Sequence, residues 1–325
     1  MAKLAEEHGM QTFTMAIFAG ICSANQRFVF LTMQKIKIHP DGPVLSRMVV
    51  GAWRWHAVSS QQVDALIKSS LSAGLSSFDH ADIYGDYSCE EVFGKVLRGN
   101  AALRNEMQLV TKCGIKLLSG KRPDHWIKHY DTSKAHIIWS VENSLKMLST
   151  DRIDVLLLHR PDPLLDPTEV AEAFTTLKKQ GKVLHVGVSN FAPSKMEMLQ
   201  SYLPFPLVTN QIELSLFHHQ DFFNGAVDSL IKNRTSPMAW SPLGGGKHFE
   251  NEAINNSLKG LAQHYQCTPT QLLLAWLLRH PSIIFPILGS TKPERIEEGA
   301  KSTTVILDKQ HWFDMLKWVT GKDVS

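Results

Sequence analysis

Cysteine is scarce in this chain and never paired in sequence: Cys22, Cys89, Cys113 and Cys267 lie far apart and form no CxxC. That spacing argues against a disulfide framework and a cysteine metal site, and it fits a reduced, cytoplasmic protein. His-x-His, with which many barrel hydrolases begin their metal site, occurs nowhere among the 15 histidines. His125 and His129 have the i, i+4 spacing of a metalloprotease helix but lack its glutamate, so no metal is expected. No G-x-G-x-x-G follows the first strand, which disfavours a doubly wound dinucleotide domain. The glycine cluster Gly244-Gly245-Gly246 lacks the Lys-Ser/Thr of a phosphate loop. Lys/Arg tracts are missing and the formal net charge is only +3, so no nucleic-acid partner is expected.

No apolar run is long enough to span a membrane, and no membrane partner is expected. FTMAIFAGICSA, inside residues 1–32, resembles the apolar core of a signal peptide, with Ala24 as a cleavage-site residue. Against this, Glu6 and Glu7 stand where a positive n-region belongs, and Lys3 is the only basic residue before them. Asn25, Gln26 and Arg27 then interrupt the run. Residues 1–32 are therefore read as an extension outside the folded domain, and residues 33–325 as that domain.

What the chain does have is a regular alternation of short apolar runs and amphipathic stretches. After IKIHPDGPVLSR, which reads as a hairpin that plugs the bottom of a barrel, eight strand–helix units follow one another. The strands are MVVGAW, SSFDHA, MQLVTKCG, RIDVLLLHR, HVGVSNF, LVTNQIEL, SPMAWSPL and SIIFPILGS. SSQQVDALIKSSLSAG reads as a capped helix, TPTQLLLAWLLRH as a buried one, and residues 306–320 as a terminal helix. The expected fold class is α/β, a closed (β/α)8 TIM barrel with an N-terminal β-hairpin and a C-terminal helix. At 325 residues and 43% hydrophobic composition, one large domain accommodates the whole pattern.

Four polar residues stand at or just beyond strand ends: Asp79 and Tyr84 in FDHADIYG, Lys112 in LVTKCG, and His159 in LLLHRP. A parallel barrel gathers such residues at one mouth. A phenol is a poor acid near neutral pH, with a reference pKa of about 10, and a lysine beside it is expected to lower that value. An aspartate fixes the lysine, and a histidine orients the substrate oxygen. Singly each residue fits a cap, a packing group or a loop histidine. Together they point to carbonyl reduction with a borrowed hydride.

FDHADIYG, KCG, LLLHRPDP, GVSNF, NQIE, WSPLGGG and PILGSTKPERI also occur in the order found in aldo-keto reductases, and residues 34–320 resemble that family, most closely a bacterial oxidoreductase subgroup. The resemblance implies NADPH-dependent reduction of aldehydes or ketones, with Tyr84 as general acid, Asp79 and Lys112 as its tuning pair, and His159 orienting the substrate. It places Ser189, Asn190 and Gln211 at the nicotinamide carboxamide and Trp240 stacked on the ring. Gly51 and Trp53 fall beside the cofactor, Ser241, Leu243 and Gly244 along the pyrophosphate, and Gly289, Ser290, Lys292, Arg295 and Glu298 at the adenosine end. Trp53, Trp55, Trp126 and Phe217 are candidates for the substrate pocket. Two positions depart from the family pattern: His80 replaces a threonine, and Gly299 an asparagine that contacts adenine. The implied partner is a small carbonyl compound and the implied assembly a monomer or weak homo-oligomer. The alternative function is a cofactor-binding regulatory subunit with little turnover.

Overall fold

A computed structural model of the chain describes residues 33–324, so the extension assigned to residues 1–32 lies outside the described residues. β1 (Lys35–Lys37) and β2 (Val44–Ser46) form the expected antiparallel hairpin, with Lys35 opposite Ser46. β3 (Val49–Gly51), β4 (Ser77–Asp79) and β5 (Gln108–Cys113) lead to a second antiparallel pair, β6 (Ile115–Lys116) with β7 (His129–Tyr130). That pair follows the third barrel strand, where the sequence pattern marks no strand. β8 (Ile153–Leu158), β9 (Val183–Ser189), β10 (Leu207–Glu213), β11 (Met238–Trp240) and β12 (Phe285–Leu288) complete the set. Eight strands close a parallel barrel in the order β3-β4-β5-β8-β9-β10-β11-β12, with β12 pairing back onto β3. The expected TIM barrel is the observed fold.

Helices follow each barrel strand. They are α1 (Ser60–Ser72), α2 (Tyr84–Tyr87), α3 (Cys89–Leu97), α4 (Ala101–Asn105), α5 (Lys134–Met147) and α6 (Pro167–Lys179) in the first half. α7 (Pro193–Gln200), α8 (Ala226–Lys232), α9 (Glu252–His264), α10 (Pro269–Leu278), α11 (Pro293–Ala300) and α12 (Lys309–Thr320) make up the second. Ser59 with Gln62, and Thr268 with Gln271, form reciprocal capping boxes that start α1 and α10. α9 has no counterpart in the sequence reading. Asn255, Asn256 and Gly260 are weak helix formers, and only Leu258 and Ala262 of this helix are buried.

Strand alternation decides what faces the barrel interior. On β5, Leu109 packs in the cluster that holds Phe78 and Phe93, while Val110 joins the inner cluster with Val49, Val155, Leu157 and Phe285. Lys112, two residues beyond Val110, shares its inward face. Ile38 and Leu45 of the first hairpin are fully buried in that same inner cluster, which makes the hairpin the plug of the barrel. β10 breaks the alternation through a register shift between Leu207 and Asn210. The irregularity lets Val208 and Gln211, three residues apart, both turn inward.

Candidate active site

Asp79 ends β4, Tyr84 opens α2 five residues later, Lys112 lies on β5, and His159 follows β8. The barrel brings all four together. Lys112 Nζ is fully buried and lies 2.8 Å from each Asp79 oxygen, 2.7 Å from the His80 carbonyl and 2.9 Å from the Tyr84 hydroxyl. An ammonium only donates, so the Tyr84 oxygen is the acceptor in that contact. The phenolic hydrogen is thereby left to point elsewhere. The His159 ring meets the Tyr84 ring edge-on at 5.8 Å.

The electrostatics correct one expectation. Burial pushes the Tyr84 phenol above its ordinary value, and the opposing pull of Lys112 does not reverse that direction. Tyr84 therefore holds its proton at rest more firmly than an ordinary phenol does. Burial also works against the charge on Lys112, but Asp79 and Tyr84 outweigh it and raise its pKa. His159 is held well below 6.5 by burial, then by the charges of Lys112 and Arg160, so its ring is neutral.

A hydrogen-bonded chain joins these residues to those expected at the nicotinamide. Trp240 Nε1 donates to Asn190 Oδ1 at 2.9 Å, and Asn190 Nδ2 donates to Ser189 Oγ at 2.8 Å. Ser189 Oγ donates to the Gln211 carbonyl at 2.8 Å, and Gln211 Nε2 to Asp79 Oδ1 at 2.8 Å. Asn190 adopts a left-handed φ of 60°, a conformation asparagine tolerates better than most residues.

Most of the remaining expected cofactor residues lie at or just beyond the ends of β3, β11 and β12. A Cβ on Gly51 would fall 2.8 Å from Ile287, and one on Gly289 only 2.7 Å from Trp53 Nε1, so both glycines permit close packing. Ser241, Gly244, Gly245 and Gly246 all have positive φ, and a Cβ on Gly245 would meet open space. Leu243 is half-buried against the core, and Phe217 packs on Gly244, where a Cβ would lie 2.8 Å from its ring. Ser290 Oγ accepts from the Lys292 amide at 3.1 Å. Lys292 and Arg295 are exposed, with no acidic partner among the described residues. That open backbone turn and the two uncommitted cations fit a dinucleotide phosphate.

Two expectations need correction. Trp55 is fully buried, stacked on Phe93 at 5.9 Å with its Nε1 bonded to the Ser290 carbonyl, so it is a core residue and lines no substrate pocket. Trp126 is 85% exposed and encloses nothing. The Glu298 carboxylate accepts from the Thr268 hydroxyl at 2.6 Å, which ties α11 to the start of α10. Gly299 has a packing reason, because a Cβ there would lie 2.8 Å from Leu288.

The sequence did not reveal the His80 carbonyl as a partner of Lys112, since a main-chain acceptor leaves no residue-type signal. Nor did it reveal the buried acids behind β5. Glu90 accepts from Thr111 Oγ1 at 2.6 Å, and Asp82 accepts from Ser140 Oγ at 2.8 Å. Burial pushes them up to about 7 and about 8, respectively. The His80 ring rests on Phe93 at 4.5 Å and is pushed down to about 3 by burial and Lys112.

Among the described residues no helix is long and apolar enough to cross a membrane, and no cluster of ligating side chains suits a metal ion. The chain is 45% identical to the uncharacterized oxidoreductase YcsN of Bacillus subtilis, over 90% of this chain and 100% of that protein. It is 43% identical to a 6-dehydroglucose reductase of Agrobacterium fabrum, over 90% and 100%. A Klebsiella pneumoniae aldo/keto reductase solved with NADP and acetate superposes with a TM-score of 0.72 at 25% identity, covering 87% of this chain and 95% of that one. The model of the Aldo/keto reductase family matches residues 47–317, and with that barrel and that mouth the chain belongs to the family, as an oxidoreductase.

Proposed function

We propose that the protein reduces aldehydes or ketones to alcohols with NADPH, and that Tyr84 donates the proton. The observation that carries this reading is the 2.9 Å contact from Lys112 Nζ to the Tyr84 oxygen, made while Lys112 also holds Asp79. When bound, the reduced nicotinamide supplies a hydride to the carbonyl carbon. Ser189, Asn190 and Gln211 hold its carboxamide, and Trp240 flanks the ring. Ser241 and Gly244 receive the pyrophosphate, and Ser290, Lys292 and Arg295 the 2′-phosphate.

The neutral His159 directs a hydrogen bond at the substrate oxygen and sets its angle to Tyr84. As negative charge develops on that oxygen, the phenolic proton crosses to it, and Lys112 stabilises the phenolate left behind. Lys112 thus acts on the product of proton transfer rather than by ionising the resting phenol. Two relatives, at 43% and 35% identity, are named 6-dehydroglucose reductases, so a sugar aldehyde is the first substrate class to try.

The test is NADPH consumption with a panel of dehydrosugar, aromatic and short-chain carbonyls. Tyr84→Phe should retain NADPH binding by fluorescence titration and lose turnover by ~10²–10⁴-fold, the usual contribution of a general acid. A near-normal kcat in that variant overturns the assignment of the proton donor. Absence of turnover with every carbonyl, alongside tight NADPH binding, favours the regulatory alternative.

A further inference from the structure

Two tryptophans from the loop after β3 meet the turn that joins β12 to α11. Trp53 packs on Gly289, where a Cβ would lie 2.7 Å from its Nε1. Trp55 instead enters the core: it is fully buried, stacked on Phe93 at 5.9 Å and edge-on to Phe78 at 6.3 Å. From there its Nε1 donates to the Ser290 carbonyl at 3.0 Å, across 235 residues of sequence. The barrel ladder does not serve that carbonyl, because the pairing of β12 with β3 ends at Leu288 opposite Val50. Trp55 is its only hydrogen-bond partner among the described residues.

The same turn carries the groups assigned above to the 2′-phosphate. Ser290 Oγ accepts from the Lys292 amide at 3.1 Å and lies 3.4 Å from the Lys292 carbonyl, so the turn closes on itself at its outer end. Lys292 stands at the cap of α11 without a side-chain hydrogen bond there, and the Arg295 amide donates to its carbonyl at 3.1 Å. Long exposed cations lose rotamer freedom when they grip a ligand. A backbone that had to be ordered at the same moment would add to that cost. The hydrogen bond from Trp55 ties the main chain of Ser290 to the packed Phe78–Phe93 cluster before any ligand arrives.

We propose that Trp55 is a positioning residue for the dinucleotide, and that its N–H strengthens the preference for a 2′-phosphorylated cofactor by holding the Ser290–Lys292 turn in place. The proposal rests on the assignment of Ser290, Lys292 and Arg295 to the 2′-phosphate. Trp55 is fully buried and acts only through the Ser290 carbonyl. A cofactor that lacks the phosphate draws little from the turn, so its affinity is nearly indifferent to the anchor. Packing alone gives a different pattern: a side chain that merely fills the Phe78–Phe93 cluster, once truncated, destabilises the fold without telling the two cofactors apart.

The experiment measures the affinities of NADP+ and NAD+ by calorimetry on the full-length protein. Trp55 is changed in two ways: Trp55→Phe, and replacement of Trp55 by benzothienylalanine, which keeps the bicyclic ring and lacks the N–H. The second variant keeps the test decisive if the smaller ring of the first costs too much stability, and urea unfolding is recorded for each. Loss of one neutral hydrogen bond should weaken NADP+ binding about two- to tenfold in the benzothienylalanine protein and NAD+ binding by less than about twofold. Adding Lys292→Ala and Arg295→Ala should remove most of that difference, because the turn then has no cations to position. Equal weakening of both nucleotides, an unchanged NADP+ affinity, or a loss that simply adds to that of Lys292→Ala and Arg295→Ala overturns the role of Trp55. If Lys292→Ala with Arg295→Ala, Trp55 being intact, weakens both nucleotides equally, the phosphate clamp itself is wrong and the role of Trp55 falls with it.

Discussion

Gln211 reaches across the barrel interior from β10 and donates to Asp79 Oδ1 at 2.8 Å, the same oxygen that accepts from Lys112. A carboxylate cannot donate, so the amide nitrogen of Gln211 must face Asp79 and its oxygen must face away. A residue expected only to grip the cofactor therefore also fixes the carboxylate that holds the lysine.

Gln211→Ala should for that reason lower kcat as well as weaken NADPH binding. A hydrogen bond to a charged group contributes about 1.5–3 kcal/mol, which corresponds to roughly tenfold to a hundredfold in kcat if it is felt in the transition state. Steady-state kinetics at saturating NADPH separates the two effects. A change confined to the KM for NADPH would show that the contact with Asp79 has no bearing on turnover.

Lys112→Met should damage both stability and catalysis. It leaves Asp79 buried without its cation, and breaking a buried pair from one side costs about 3–5 kcal/mol. Urea unfolding measures the loss. Adding Asp79→Asn should recover part of the stability while turnover stays low, because the phenolate still lacks its partner. Recovery of activity in the double variant would contradict the role given to Lys112.

The buried acids behind β5 give stability a definite pH dependence. Glu90 and Asp82 have folded values of about 7 and about 8, raised chiefly by burial from ordinary values of 4.5 and 3.8. Between about pH 4 and pH 8 the folded chain keeps protons the unfolded chain has released, so stability falls as pH rises and levels off above pH 8. Fully buried His80 and half-buried His136 are pushed down to about 3 and about 4, and they oppose this trend only below about pH 6.5. From pH 6.5 to 8 the urea midpoint of the wild type should therefore drop, and Glu90→Gln with Asp82→Asn should flatten the slope. A midpoint that is level or rises in the wild type over that interval refutes the account.

Replacing Lys292 and Arg295 by alanine should raise the KM for NADPH far more than that for NADH. The 2′-phosphate carries roughly two negative charges near neutral pH, and these two exposed cations have no acidic partner of their own among the described residues. Equal weakening of both cofactors would mean that the pair merely decorates the start of α11.

The sequence determined the barrel, because eight apolar runs alternating with helical patterns leave little choice of architecture once a parallel sheet must cover both faces. It also determined the tetrad, since Asp79, Tyr84, Lys112 and His159 lie at or just beyond strand ends and the ends of parallel strands meet at one mouth. Tertiary structure decided what depends on where a side chain turns. Trp55 and Trp53 stand two residues apart after the same strand, yet Trp55 is driven into the Phe78–Phe93 cluster while Trp53 lies over Gly289. The register shift in β10 aims Gln211 at Asp79, and no alternation pattern foretells an irregular strand. The direction of the Tyr84 shift was likewise a tertiary outcome: the neighbouring lysine is legible in the sequence, but the depth of burial that outweighs it exists only once the chain has folded.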